Sequence, residues 1–430
     1  MVSDKIISSL QAAVSIDEIV ELEKRLIGIP SYTLEETPLA EFIVQFLRSQ
    51  GVEASLQEVP APEPSQPATS RRASHNVVGV LRGDGGGPRL MFNGHMDINA
   101  TDLAVGGTAF TGYTGWKRHP FTPVVEDGRI YGKGAYDEKG GVCAFLAAAV
   151  AIKRAGLKPK GDIYFCPVMG HYSASAGTKH LMKLGLRADY GICSENSGSW
   201  IVPAHNGGIL AEAHVRGVNP GTRYSLPETM DKATAFANAV RFVNALGVEG
   251  IPHRRDGWTT FKPHAVLREF PNHRIGYINT VAKALDHIVV GVLIKTVPGM
   301  DENSCRLDLE RVLAGLEKEY ADFIGGKVVT TLWAPPLDTA FDSPVVAALS
   351  AAYAWATGEK AQVGIEARLG AMGDSGCMAA SGIETCIFGP GIMHDRDQLR
   401  GVVPPDECIS VKELVDAAHT MALAAVALSC

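Results

Sequence analysis

PRLMFNGHMD, residues 88–97, is the stretch on which the reading of this chain turns. A proline introduces a short apolar run, Leu90-Met91-Phe92, that ends in a polar turn carrying His95 and Asp97. An apolar run of this length, closed by a polar turn, is the pattern of a strand buried on both faces. GKGAYDEKGG follows at 132–141 and opens into VCAFLAAAVAIKR, an apolar helical segment stopped by Gly156. GDIYFCPVMG at 161–170 and DYGICSEN at 189–196 are two further strands with turns behind them. Strands alternating with helices predict a largely parallel α/β sheet. Such sheets gather ligands beyond the carboxyl ends of their strands.

Working outward, Ser15-Ile-Asp-Glu18 has the spacing of a capping box, and Thr37-Pro38 starts a second helix that Gly51 stops. APEPSQPATSRR (61–72) is a polar, proline-rich loop. From residue 212 the pattern changes. LAEAHVRG, HRIGYINT, DHIVVGVLIKTVPG and KVVTTLWA are strands; MDKATAFANAVRFVNALG and ENSCRLDLERVLAGLEKEY, the latter capped by Asp301, are helices. The order β-α-β-β-α-β predicts a ferredoxin-like unit, residues 212–333, inserted into an α/β domain made of 1–211 and 334–430. The last helix opens with Ser410-Val-Lys-Glu413.

The 430 residues exceed one simple core. Apolar residues are 46% and charged residues 20%, an ordinary globular balance. A net charge of −7 argues against a nucleic-acid partner. The eight cysteines form no CxxC pair, which fits reduced thiols in a cytoplasmic protein. The N-terminus has no basic segment followed by an apolar core, and the most apolar run is too short to span a bilayer, so neither export nor membrane insertion is expected.

Three strand-end loops carry the chemistry. His95 and Asp97 lie two residues apart, so on extended backbone they face one side, and the carboxylate can hold the second imidazole nitrogen. Asp137 sits between glycines at a turn into a helix. Glu195 ends a short strand. One imidazole and two carboxylates suit a divalent transition metal such as manganese or zinc, with cobalt a third option. Taken singly, each also has a plain reading: a hydrogen-bonding histidine, a turn-forming aspartate, a solvated glutamate.

FNGHMDI, GKGAYDEKGGVCAFLAA, SAGTKHL, GICSEN and IFGPG, in this order, resemble the aminoacylase and carboxypeptidase G family of metallohydrolases. The resemblance covers nearly the whole chain. It implies that His95, Asp137 and Glu195 bind one metal, that Asp97 orients His95, and that the inserted unit is a lid and dimerisation domain, giving a homodimer or higher homo-oligomer.

The chain departs from that family's pattern in two places. Aligned on Gly177-Thr178, GHYSASAGT (170–178) stands where the family has DEExGGxGT. His171 then takes the place of the general-base glutamate, and Tyr172 that of a ligand to a second metal. VPPDE (403–407) stands where the family has HxxDE, so Val403 replaces the other ligand. The implied centre therefore holds one metal. A histidine can take over as base because its pKa already lies near neutrality, and Tyr172 can donate to developing negative charge or simply fill space. By the same resemblance Arg223 and Lys295 are candidates for gripping a substrate carboxylate, Asn279 matches a lid position, and Gly373-Asp374-Ser375 line the pocket. His394, in GPGIMHDRD, is a further candidate for substrate contact.

The function so implied is hydrolysis of a C–N bond in a small carboxylate-bearing substrate. One version is deamination of an electron-poor aromatic ring, which needs no second metal to polarise a carbonyl. The other is ordinary cleavage of N-acyl amino acids or dipeptides. A non-catalytic small-molecule binder on the same scaffold is the alternative of a different class.

Overall fold

The computed structural model describes residues 2–60, 73–98, 118–218, 234–246, 267, 272–280, 286–365, 373–391 and 406–429. Arg223, His394, Val403 and the 61–72 loop lie outside these residues. The chain divides into two compact units: Met1–Ala204 with Leu337–Leu369 and Gly373–Cys430, and His205–Pro336 with Gly370–Met372. The sequence pattern places the first boundary at 212. The strand it recognises runs Gly207–Gly217, because its first residues, two glycines and two aliphatics, give no polar alternation to read.

The first unit is built on a six-stranded sheet in the order Glu53–Val59, Ser74–Leu81, Ile163–Val168, Leu90–His95, Tyr190–Cys193, Glu384–Ile387. The last four are mutually parallel and the first two are antiparallel additions, so the sheet is mostly parallel as expected. The Leu90–His95 strand is buried at every position, which explains the apolar Leu90-Met91-Phe92 run that opens it. Phe92 stacks on Phe165 at 5.4 Å and on Phe145 at 6.0 Å. Each such ring contributes about 2–3 kcal/mol through burial.

The helix Lys139–Arg154 begins at the predicted glycines and ends before Gly156, whose φ of +67° closes it. It is buried around nearly its whole circumference because the helices Ile16–Ile27 and Val411–Ser429 pack against it. Its small residues allow that approach. A Cβ on Gly141 would stand 2.2 Å from the Ser194 carbonyl oxygen, so the helix can lie against the Tyr190–Cys193 strand end only with glycine there. The Ser15 capping box forms in full.

The second unit is a four-stranded antiparallel sheet in the order Asn272–Thr280, His287–Thr296, Gly207–Gly217, Phe323–Ala334. Numbered within the unit this is 2-3-1-4, the ferredoxin-like arrangement. Ile209, Ala211, Ala213 and Val215 alternate with Leu210, Glu212, His214 and Arg216 and meet Ile288, Val290, Val292 and Ile294 on one buried face. The helices Ala235–Leu246 and Glu302–Glu319 cover that face with Ala235, Ala239, Phe242, Leu246, Cys305, Leu309 and Leu313. Asp301 caps the second helix through the Ser304 amide at 2.7 Å. Among the described residues no helix is long and apolar enough to cross a membrane.

Candidate metal centre

The parallel register sets His95 beside Val168 and Asn93 beside Cys193. The loops that leave these three strands therefore converge, and they carry His95, His171 and Glu195. Their donor atoms all lie within 4.8 Å of one another. Asp137 arrives from the turn before the Lys139–Arg154 helix. Its Oδ1 stands 3.2 Å from His95 Nε2, and Glu195 Oε1 stands 3.9 Å from the same nitrogen.

Asp97 holds His95 mainly through its backbone. His95 Nδ1 donates to the Asp97 carbonyl at 2.8 Å, while the Asp97 carboxylate is 3.5 Å away. That carboxylate accepts instead from the backbone N–H groups of His171 at 2.9 Å and Tyr172 at 3.2 Å, and from the Thr33 hydroxyl at 3.1 Å. With Nδ1 as donor, the lone pair of Nε2 faces two carboxylates, buried Glu195 and half-buried Asp137. Packing these acceptors together without water is costly unless positive charge lies among them. Burial would lower the His95 pKa, yet Glu138, Asp137 and Asp97 hold it well above its usual value, an expression of the same local demand for a cation. One imidazole and two carboxylates therefore fit a divalent transition ion.

His171 lies in a one-turn 3-10 helix, His171–Ser173, and its ring stacks on His95 at 4.3 Å. Asp374 Oδ2 accepts from His171 Nδ1 at 2.8 Å, and Glu195 Oε1 is 3.5 Å from that nitrogen. Burial and the neighbouring His95 lower the His171 pKa, but Asp374 and Glu195 outweigh them and leave it above 6.5. Burial would raise the Asp374 carboxyl, and the bond from His171 holds it below its usual range instead. The Tyr172 hydroxyl donates to Asp137 Oδ2 at 3.2 Å. Gly373 lines the same space: a Cβ there would come within 3.5 Å of Glu195 Oε1.

Two of the remaining candidates belong to the second unit. Lys295, half-buried, and Asn279, exposed, lie on neighbouring strands of the second unit. Arg223 and His394 are outside the described residues.

Three acids that sequence reasoning leaves unassigned support the centre. Asp374 reads in the sequence only as part of a glycine-rich pocket segment; its pairing with His171 depends on a separation of 203 residues. Glu138 accepts from the His95 backbone N–H and from Ser194 Oγ. Burial and the charge of Glu195 push its carboxyl well above the carboxylate range, although His95 opposes this. A Cβ on Gly94 would meet Ser194 Oγ at 2.2 Å and Glu138 Oε1 at 2.6 Å, so that position has room only for glycine.

Glu407, from the PPDE segment, is the third. Its Oε1 accepts the backbone N–H groups of Tyr136 and Asp137, each at 3.2 Å, and its Oε2 lies 3.3 Å from buried Lys133 Nζ. It enters beside a small sheet, Val124–Glu126, Arg129–Tyr131 and Cys408–Ser410, that periodicity does not reveal. Glu407→Ala would leave the Lys133 ammonium buried without this carboxylate and free both amides. The expected loss is about 3–5 kcal/mol of stability, read as a lower midpoint in urea denaturation. An unchanged midpoint would remove Glu407 as a brace of the Asp137 turn.

Fold and site together define a two-unit α/β protein with a candidate metal centre at the carboxyl ends of its parallel strands. The model of peptidase family M20/M25/M40 matches residues 91–427, and the chain belongs to that family, whose related enzymes hydrolyse C–N bonds. A Bacillus subtilis enzyme, N-formyl-4-amino-5-aminomethyl-2-methylpyrimidine deformylase, is 23% identical over 96% of this chain and 95% of its own. The solved aminopeptidase PepT of Bacillus cereus shares the fold at a TM-score of 0.68 and 18% identity, covering 97% of this chain and 99% of that one. A dinuclear metal-binding M20 peptidase of Bacillus subtilis, YXEP, does so at 0.63 and 13% identity, covering 99% and 98%.

Proposed function

We propose that this enzyme is a mononuclear metal-dependent aminohydrolase that replaces the amino group of an electron-poor, carboxylate-bearing aromatic ring by hydroxyl. The substrate put forward is 5-nitroanthranilate, with 5-nitrosalicylate and ammonia as products. This reading grows from the resemblance of the chain to 5-nitroanthranilic acid aminohydrolase. The observation that carries it is the pairing at the 170-loop: an imidazole stacked on His95 and a phenol bonded to Asp137, where a second ion would need carboxylates.

His95, Asp137 and Glu195 would hold the ion. When bound, it supplies a Lewis acid and lowers the pKa of water at the site. Asp374 fixes His171 Nδ1 as the donor, which leaves Nε2 as the basic nitrogen. His171 takes a proton from the attacking water as the new C–O bond forms at the ring carbon. It returns that proton to the departing nitrogen as the C–N bond breaks, so water and the amine give the phenol and ammonia. The nitro group carries the negative charge of the addition step, and the Tyr172 hydroxyl is placed to donate toward charge in the site. The substrate carboxylate falls to a basic side chain, with Arg223 and Lys295 the candidates.

A second reading is supported by the full-length match to the Bacillus subtilis deformylase: hydrolysis of an N-acyl amide by the same residues. One assay separates them. Chelated enzyme reloaded with manganese, zinc or cobalt is given 5-nitroanthranilate and a panel of N-formyl and N-acyl amines. Ammonia release from the nitroaromatic is the expected result. Turnover confined to the amides would replace the first reading with the second.

A further inference from the structure

The His171 loop is held by acids from outside it. The backbone N–H groups of three consecutive residues each meet a buried carboxylate: Gly170 donates to Glu36 Oε1 at 3.0 Å, His171 to Asp97 Oδ1 at 2.9 Å, and Tyr172 to Asp97 Oδ2 at 3.2 Å. Glu36 Oε1 also accepts the Leu34 N–H at 2.9 Å, and Glu36 Oε2 accepts the Ser74 hydroxyl at 2.6 Å. Glu36 is 0% exposed, so no solvent competes for these bonds. The loop needs such restraint. Ala174 and Ser175 have φ of +60° and +56°, a region that costs a non-glycine residue about 1 kcal/mol or more. Leu34, at φ +71°, is another such residue held by the same carboxylate.

We propose that Glu36 is a positioning residue for His171: its carboxylate, together with that of Asp97, clamps the Gly170–Tyr172 backbone and sets where the His171 ring stands. Glu36 sits at the start of the Thr37–Ser49 helix, 134 residues before Gly170. Its carboxylate bonds to Leu34, Ser74 and Gly170, a set apart from His95, Asp137 and Glu195. Its effect on the centre passes through the loop. The role of the clamp in catalysis rests on His171 being the proton carrier; the clamp itself does not.

Amide hydrogen exchange tests the clamp without any substrate. In Glu36→Ala, exchange at Gly170, His171 and Tyr172 should quicken at least about tenfold, while the Leu90–His95 and Tyr190–Cys193 strands keep their protection. Glu36→Gln keeps an acceptor oxygen of the same reach, so it should retain protection at Gly170. Unchanged exchange in the alanine variant would overturn the proposal. So would a uniform rise across the catalytic unit, which would make Glu36 a general folding residue. If Glu36→Ala does not fold, Glu36→Gln combined with Ser74→Ala weakens the same anchor. Its Gly170–Tyr172 amides should then exchange faster than those of the strands, and equal rates would again overturn the clamp. A retained clamp alongside failed aminohydrolase assays would sink the functional reading and leave this one standing.

Discussion

His171→Ala lowers kcat by about 10²–10⁴-fold, the range of a positioned general base, while the enzyme still binds its metal. His95, Asp137 and Glu195 supply three donors without His171, whose Nδ1 is already engaged with Asp374 at 2.8 Å. Steady-state kinetics and equilibrium dialysis against manganese, run on the same preparation, decide it. Loss of metal in step with activity would make His171 a ligand, as its place within 4.8 Å of the His95 and Glu195 donors also permits. Undiminished turnover would remove it from the chemistry altogether.

The pH profile gives an independent check. A base must be deprotonated to work, and the His171 pKa is held above 6.5 by Asp374 and Glu195 against burial. Activity therefore climbs as pH rises through that raised value and is lost as pH falls below it. Asp374→Asn removes an interaction that raises the pKa, so the ascending limb of kcat/KM moves to lower pH. A limb that stays in place would detach Asp374 from His171.

Glu195→Ala removes both metal and turnover. Glu195 Oε1 lies close to both imidazoles, 3.9 Å from His95 Nε2 and 3.5 Å from His171 Nδ1, and Glu195 is itself buried. Loss of one charged ligand is expected to weaken metal binding on the order of 10³-fold, or about 4 kcal/mol. The measurement is metal content after dialysis at fixed free manganese. The parent should hold one ion per chain. Two tightly held ions per chain would contradict the mononuclear centre, and unaltered binding in the variant would exclude Glu195 as a ligand.

Much of the fold is legible because its signals are local. The apolar run Leu90–Phe92, the glycine stop after Arg154 and the Ser15 and Asp301 caps each depend on residues within a few positions of one another. The short sheet holding Val124–Glu126, Arg129–Tyr131 and Cys408–Ser410 escapes such reading, because three-residue strands carry no period. The site divides in the same way. His95, Asp137, Glu195 and His171 stand out because each sits at a turn with a recognisable neighbourhood.

By itself, then, the sequence determined most of the chain's longer elements, the mostly parallel character of its main sheet and the residue types offered to a metal. These follow from short-range preference and hydrophobic period. The tertiary structure alone decided the partnerships: Asp374 on His171, Glu407 on the Asp137 turn, and Glu36 with Asp97 on the 170-loop. These bonds join residues that are 74 to 270 positions apart. No local pattern encodes them, because a buried carboxylate takes its partner from whichever segment the packed core brings to it.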